Sequence, residues 1–202
     1  MGSSTDVAAM PTVYHRAAQE DLFRCVPTEP WATVVGAGVH RRLDPGYVAF
    51  VAARHIAYYR PELYVRVLFP TPAALARLLD ALRMSLRGSA PSDVAADETL
   101  IAVSAALRAR FADDPTSRRA LAALLEACAG ARLDAWFKLG DRAAARAGLL
   151  LGGDLGAALR GIEEPVGVPV LAEPTALRDD LVRFTVSDAH ARLRESLGIA
   201  VA

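Results

Sequence analysis

Phe50-Val-Ala-Ala-Arg-His-Ile-Ala-Tyr-Tyr-Arg60 is the stretch on which the reading of this chain turns. Upstream, Asp44-Pro45 is a helix start signal: a capping side chain, then a proline at the first helical position, where no N–H is needed. Pro61 ends the run. The spacing therefore predicts one helix from about residue 45 to about residue 59. Tyr47, Phe50, Val51, Arg54, Ile56 and Tyr58 leave little of its circumference purely polar. A helix of that kind belongs near the centre of a domain.

Before this helix, three short runs read as strands. Thr12-Val-Tyr-His-Arg16 is the first. Leu22-Phe-Arg-Cys-Val26 alternates apolar and polar side chains, and Trp31-Ala-Thr-Val-Val35 comes after a turn flanked by Pro27 and Pro30. Together they predict a small antiparallel sheet. Residues 1–11 read as a disordered lead-in.

The remainder reads as helices: a turn or short helix over 61–69, then 73–87, a segment from a Ser92 cap to about Phe111, then 116–128, 131–151, 153–162 and 175–196. Gly88 to Pro91 and Asp113-Asp-Pro115 are breaks, and Pro165 to Pro169 is a loop. The expectation is an α+β fold, mostly α-helical, with one domain over 12–202 and no fixed-period repeat.

Bulk composition excludes several classes. The chain has 202 residues, 53% of them hydrophobic, and zero formal net charge. That length and apolar content support a sizeable core and argue against disorder. No long basic stretch suggests a nucleic-acid partner. The apolar runs are too short for a membrane span, and no signal-peptide pattern opens the chain, so a cytoplasmic location is expected. Cys25 and Cys128 lie far apart outside any Cys-x-x-Cys pair, which suits reduced thiols better than a disulfide.

Three blocks carry a family resemblance. They are Ala32-Thr-Val-Val-Gly-Ala-Gly-Val39 with Arg41-Arg-Leu-Asp-Pro45, then Phe50 to Arg60, then Asp141-Arg-Ala-Ala-Ala-Arg-Ala-Gly-Leu-Leu150 with Gly153-Asp-Leu-Gly-Ala-Ala-Leu-Arg160. In order and content they resemble the gluzincin metallopeptidases related to HtpX and the CAAX prenyl proteases. In that family a strand leads into a His-Glu-x-x-His helix, whose histidines bind zinc while the glutamate activates water. A later helix supplies a third ligand from a Glu-x-x-x-Asp motif. The resemblance implies a zincin-like helical core with the sheet packed on it.

Carried over residue by residue, Arg54 stands at the first histidine, His55 at the glutamate and Tyr58 at the second histidine. Asp141 stands at the third-ligand glutamate and Ala145 at the following aspartate, while Arg146, Ala147, Gly148 and Leu149 keep the pattern. The match holds where residues are structural and fails where they are catalytic. The resemblance implies a degenerate, catalytically inactive metallopeptidase-like domain: a scaffold or protein-interaction module, part of a larger bacterial protein, with no metal, no cofactor and a protein or peptide partner. The former substrate cleft, lined by the sheet edge and helix 44–59, is the expected place for that peptide, bound by strand addition to that edge.

The charge chemistry agrees. Arg54 brings a fixed positive charge to a cation's place, and the Tyr58 phenol keeps its proton at neutral pH. Two readings of Arg54 stay open: an ion pair with Asp141 that replaces the metal, or a buried stem with its head in solvent. The alternative function is a metal-dependent hydrolase with a rearranged site around His55 and Asp141, with Glu62 as a further ligand. His15 and His40 read as surface histidines, and His190 with Asp188 and Glu195 as a solvated helix face. Gly36-Ala-Gly38 lacks the continuation of a dinucleotide loop. Tyr58, Tyr59, Tyr64 and Phe69 read first as a packing cluster.

Overall fold

The computed structural model describes residues 11–16, 22–26, 28, 31–41, 44–87, 98–164 and 167–199. The turn flanked by Pro27 and Pro30, the break at 88–91, the Ser92 cap and most of the 1–11 lead-in lie outside the described residues. Within 12–202 the chain divides into two compact units. One holds residues up to Pro70 together with Asp134 onward, and the other is Thr71–Leu133. The architecture is α+β and mostly helical. Among the described residues no helix is long and apolar enough to cross a membrane.

The first unit opens with strands β1 (Thr12–Arg16), β2 (Phe23–Val26) and β3 (Ala32–Gly36). The sheet is mixed rather than wholly antiparallel: β3 lies in the middle, antiparallel to β2 and parallel to β1. Burial accords with the strand order. All five β1 side chains are exposed, whereas Ala32, Thr33 and Gly36 of β3 are buried. The strand with the small and β-branched buried residues takes the centre, where both its edges are paired.

A short helix, α1 (Gly38–Arg41), comes next, and then α2 (Pro45–Ala57). Asp44 caps α2 by accepting from the Tyr47 N–H at 3.1 Å, as the Asp-Pro signal requires. Tyr47, Phe50, Val51, Arg54 and Tyr58 are all buried and fall on one side at helical spacing. His55 lies beside that stripe, towards the sheet. Helix α3 (Pro61–Leu68) buries Leu63 and Arg66, one turn apart.

After the second unit come α7 (Leu133–Gly152), α8 (Leu155–Gly161), α9 (Pro174–Thr185) and α10 (Asp188–Ser196). The single helical region expected over 175–196 is two helices. Ser187 interrupts it because its hydroxyl accepts from the His190 N–H and so starts a new helix. In α7 the buried residues are Phe137, Gly140, Asp141, Ala144, Ala145, Gly148 and Leu149, a stripe of period 3.6 made mostly of small side chains. Those small residues let α7 close on α2. A Cβ on Gly148 would meet the Phe50 ring and the Phe50 carbonyl oxygen, each at 2.8 Å. The main core joins α2, α3, α7, α8, α9 and β2 around Phe50, Leu149, Ile162, Leu177 and Leu181.

The second unit consists, among its described residues, of α4 (Pro72–Arg87), α5 (Glu98–Arg110) and α6 (Pro115–Ala127). Its core cluster is small: Ala81 and Met84, with Leu107 against them. Asp114 caps α6 through the N–H groups of Thr116 and Ser117.

Candidate functional site

The expected site residues do not share one place. Tyr58 and Asp141 meet: the Tyr58 hydroxyl donates to Asp141 Oδ1 at 2.8 Å, with both residues fully buried. The ion-pair partner of Asp141 is not Arg54 but Arg66, whose Nη1 lies 2.7 Å from Oδ1, again with both side chains fully buried. The other carboxylate oxygen accepts from the main-chain N–H groups of Leu171 at 2.8 Å and Ala172 at 2.9 Å. Four donors therefore converge on one carboxylate, which has about four lone-pair positions to offer.

Arg66 is fastened in its turn. Nη1 also donates to the Phe137 carbonyl and Nη2 to the Pro169 carbonyl, each at 3.0 Å. Its guanidinium lies 4.5 Å from the Phe137 ring centroid and 5.2 Å from that of Tyr58. Gly140 makes the approach feasible, because a Cβ there would come within 3.1 Å of Nη1. The network thus ties α3, α7 and the segment 169–172 to the end of α2. Burial raises the Tyr58 pKa, and the neighbouring Asp141 charge raises it further. The phenol stays a donor.

Arg54 follows neither reading drawn from the sequence. It is fully buried, so its head does not reach solvent, and it makes no ion pair with Asp141. Its Nη1 donates to the carbonyls of Gly161 at 3.2 Å, Ile162 at 2.6 Å and Glu164 at 3.3 Å. These carbonyls close the C-terminal end of α8, where the helix dipole favours a cation. Nε and Nη2 of Arg54 have no hydrogen-bond partner in that place. Burial lowers its pKa, opposed by the nearby Tyr58 and Asp141. The tight curl at the end of α8, which gathers three carbonyls about one point, has no counterpart in sequence spacing.

His55 sits against the sheet. Its Nε2 is 3.1 Å from the Thr33 hydroxyl, which donates to the Tyr59 hydroxyl at 2.8 Å, and Tyr59 in turn donates to the Ala32 carbonyl. A carbonyl can only accept. The order of donors therefore leaves the Thr33 oxygen to accept from Nε2. Phe23 stacks on the imidazole with 5.4 Å between centroids. The Cys25 sulfur lies 3.8 Å from Nδ1 and 4.0 Å from Nε2. Burial pushes the Cys25 thiol up to about 11. A thiol so placed is a packing group, not a nucleophile.

The other expected positions lie elsewhere. Ala145 is a fully buried core residue. Arg146 makes a two-point contact with Asp180 of α9, at 2.8 and 2.7 Å, and lies over the Phe184 ring. That hydrogen bonding raises its pKa. Glu62 is exposed and pairs with Arg60. His55 and Asp141 share no hydrogen bond. Among the described residues no group of three or more His, Cys, Asp or Glu side chains is placed to hold a metal ion. The aromatic residues Trp31, Tyr59 and Tyr64 stack in one cluster, with 4.6 Å between the Trp31 and Tyr64 centroids. Phe69 has no part in the stack.

Sequence reading missed Arg66. Its signal was present: an arginine three residues after Leu63, on the apolar side of a short helix. In comparisons with known proteins, the chain matches no family model, no curated protein and no solved structure.

Proposed function

We propose that this chain is a gluzincin-like domain whose metal chemistry has been given up, and that it serves as a cytoplasmic scaffold or protein-interaction module, within a larger bacterial assembly. The observation that carries the reading is the Asp141 carboxylate, whose four acceptor positions are taken by Tyr58, Arg66, Leu171 and Ala172. Zinc needs neutral nitrogen, thiolate or carboxylate donors with a lone pair directed at the ion. Tyr58 keeps its proton, Arg54 and Arg66 carry positive charge, and Asp141 has no lone pair to spare. These residues do not fit zinc.

The partner proposed is an extended peptide laid against β1. That strand is at the sheet edge, with Val13 65% and Tyr14 57% exposed. The Thr12 N–H points to β3, where it donates to the Trp31 carbonyl at 2.7 Å. The alternation of a strand then turns the N–H and C=O of Val13 to the opposite side, where an added strand would lie.

Metal content of the purified protein, measured by mass spectrometry with and without added zinc, tests the reading. Less than about 0.1 metal per chain is the outcome expected of a site without free donors. One zinc per chain would overturn it. It would turn attention to a hydrolase built on His55 and Asp141, the second reading drawn from the sequence.

A further inference from the structure

Three oxygens and two aromatic faces converge on one buried point. The oxygens are Asp141 Oδ1, the Phe137 carbonyl and the Pro169 carbonyl, and the rings are those of Phe137 and Tyr58. Such a set suits a flat, delocalised cation. The carboxylate supplies charge, the carbonyls lie along N–H directions of a planar fork, and the ring faces attract positive charge. We propose that this is a guanidinium receptor built into the fold and filled by the protein's own Arg66. Its occupant does the fastening that a bound metal does in a metalloprotein.

The two ends of the receptor come from different parts of the chain. Arg66 reaches it from α3, Asp141 and Phe137 from α7, and Pro169 from the segment whose next residues, Leu171 and Ala172, bond the same carboxylate. A cation at this point joins α3 to α7 and holds residues 169–172 down. Gly140 keeps the space open, since a Cβ would stand 3.1 Å from Nη1 and 3.2 Å from the Leu63 side chain. A lysine could not reproduce the arrangement. Its single ammonium can meet the carboxylate, but it lacks the second nitrogen that reaches the Pro169 carbonyl.

The reading of Asp141 as a former ligand position is not needed for this inference, which rests on the geometry alone. Finding zinc in the protein would defeat the proposed function through metal analysis. The receptor is judged by rescue. The test is Arg66→Ala with guanidinium chloride added at low millimolar concentrations, too dilute to denature. Binding to the native state alone, at ten times its Kd, would raise Tm by about 3–6 °C. Wild type should show no rise, because its receptor is full, and urea should raise neither protein. Arg66→Ala/Asp141→Asn, which lacks the anionic end, should also fail to respond. If Arg66→Ala does not fold in buffer, recovery of native near-UV circular dichroism on adding guanidinium, and not urea, is the expected result. Absence of a selective response in Arg66→Ala, whether read as Tm or as recovered structure, overturns the proposal.

Discussion

Asp141→Asn is the substitution that weighs most on the site as described. The change keeps size and shape and removes the charge. Asp141 accepts four hydrogen bonds: two on Oδ1, from Tyr58 and Arg66, and two on Oδ2, from Leu171 and Ala172. An asparagine has one oxygen and one NH2. If its oxygen faces Tyr58 and Arg66, the NH2 points at two main-chain N–H groups. The reverse orientation sets it against a guanidinium. Either way two donors lose their acceptor, and a buried arginine loses its counter-charge. Breaking one partner of a buried ion pair costs about 3–5 kcal/mol. For a chain of this size that is a fall in Tm of roughly 6–20 °C. The assay is thermal and urea unfolding followed by tryptophan fluorescence. Trp31 and Trp136 both belong to the unit that holds Asp141, so the signal reports on that unit. The denaturant midpoint should fall with little change in slope. Arg66→Met/Asp141→Leu, which removes both charges, should recover little of the loss, because it leaves the Tyr58 hydroxyl and the Leu171 and Ala172 N–H groups without an acceptor. A shift in Asp141→Asn under about 0.5 kcal/mol, the range of an ordinary surface change, would refute the saturated, buried carboxylate.

The geometry carries two more expected outcomes. The Cys25 thiol is raised from 9.0 to about 11, first of all by burial. Between those values the folded protein holds a proton that the unfolded chain has released, so stability falls as pH rises from about 9 to about 11. Comparing urea midpoints of wild type and Cys25→Ala across that window isolates the effect, and equal slopes against pH would refute it. Gly148→Ala should be destabilising by about 1–3 kcal/mol despite the better helix propensity of alanine. The added Cβ would meet the Phe50 carbonyl oxygen and ring at 2.8 Å, and a backbone oxygen cannot move aside cheaply. Calorimetry gives the answer directly, and a higher Tm for the variant would contradict the close α2–α7 approach.

Legibility in the sequence depended on whether a feature is local. The start of α2 at Asp44-Pro45 was readable because cap and proline act within one turn. The start of α6 at Asp114-Pro115 has the same signature, whereas α9 starts on Pro174 without a capping side chain. The two-residue break at Val186 and Ser187 was not read. A serine inside an apolar-periodic run looks like any polar position until its hydroxyl is seen to cap α10. Strand runs were legible, and strand order was not. Five residues of β1 carry no mark that says whether they lie beside β2 or β3, and the choice is made by which strand can be buried on both edges. In the site, Tyr58 and Asp141 came together only through the family resemblance, and the bond weighed for Asp141 was to Arg54. Arg66 went unread because its helix looked like little more than a turn and nothing local marks a partner 75 positions away.

The two buried arginines show how differently one side chain can be accommodated. Arg66 has a full counter-charge and three hydrogen bonds from two of its nitrogens, and only its Nε is unmatched. Arg54 has only carbonyl dipoles at a helix end, all on one nitrogen, with Nε and Nη2 unmatched. Exchange of their partners is prevented by the acceptors themselves. The lone pairs of Asp141 are spent on Tyr58, Arg66 and the 171–172 backbone, so nothing is left for Arg54 to approach. The same saturation bears on metal binding. Histidine placed at 54 and 58 would supply nitrogen donors, yet Asp141 would still be held by Arg66 and by two main-chain N–H groups. Those N–H groups belong to a segment with Ala172 buried in the core. Freeing the carboxylate therefore means moving backbone, not exchanging one side chain. The poor fit to a metal ion is thus set by the packing around Asp141 as well as by the identities of residues 54, 55 and 58.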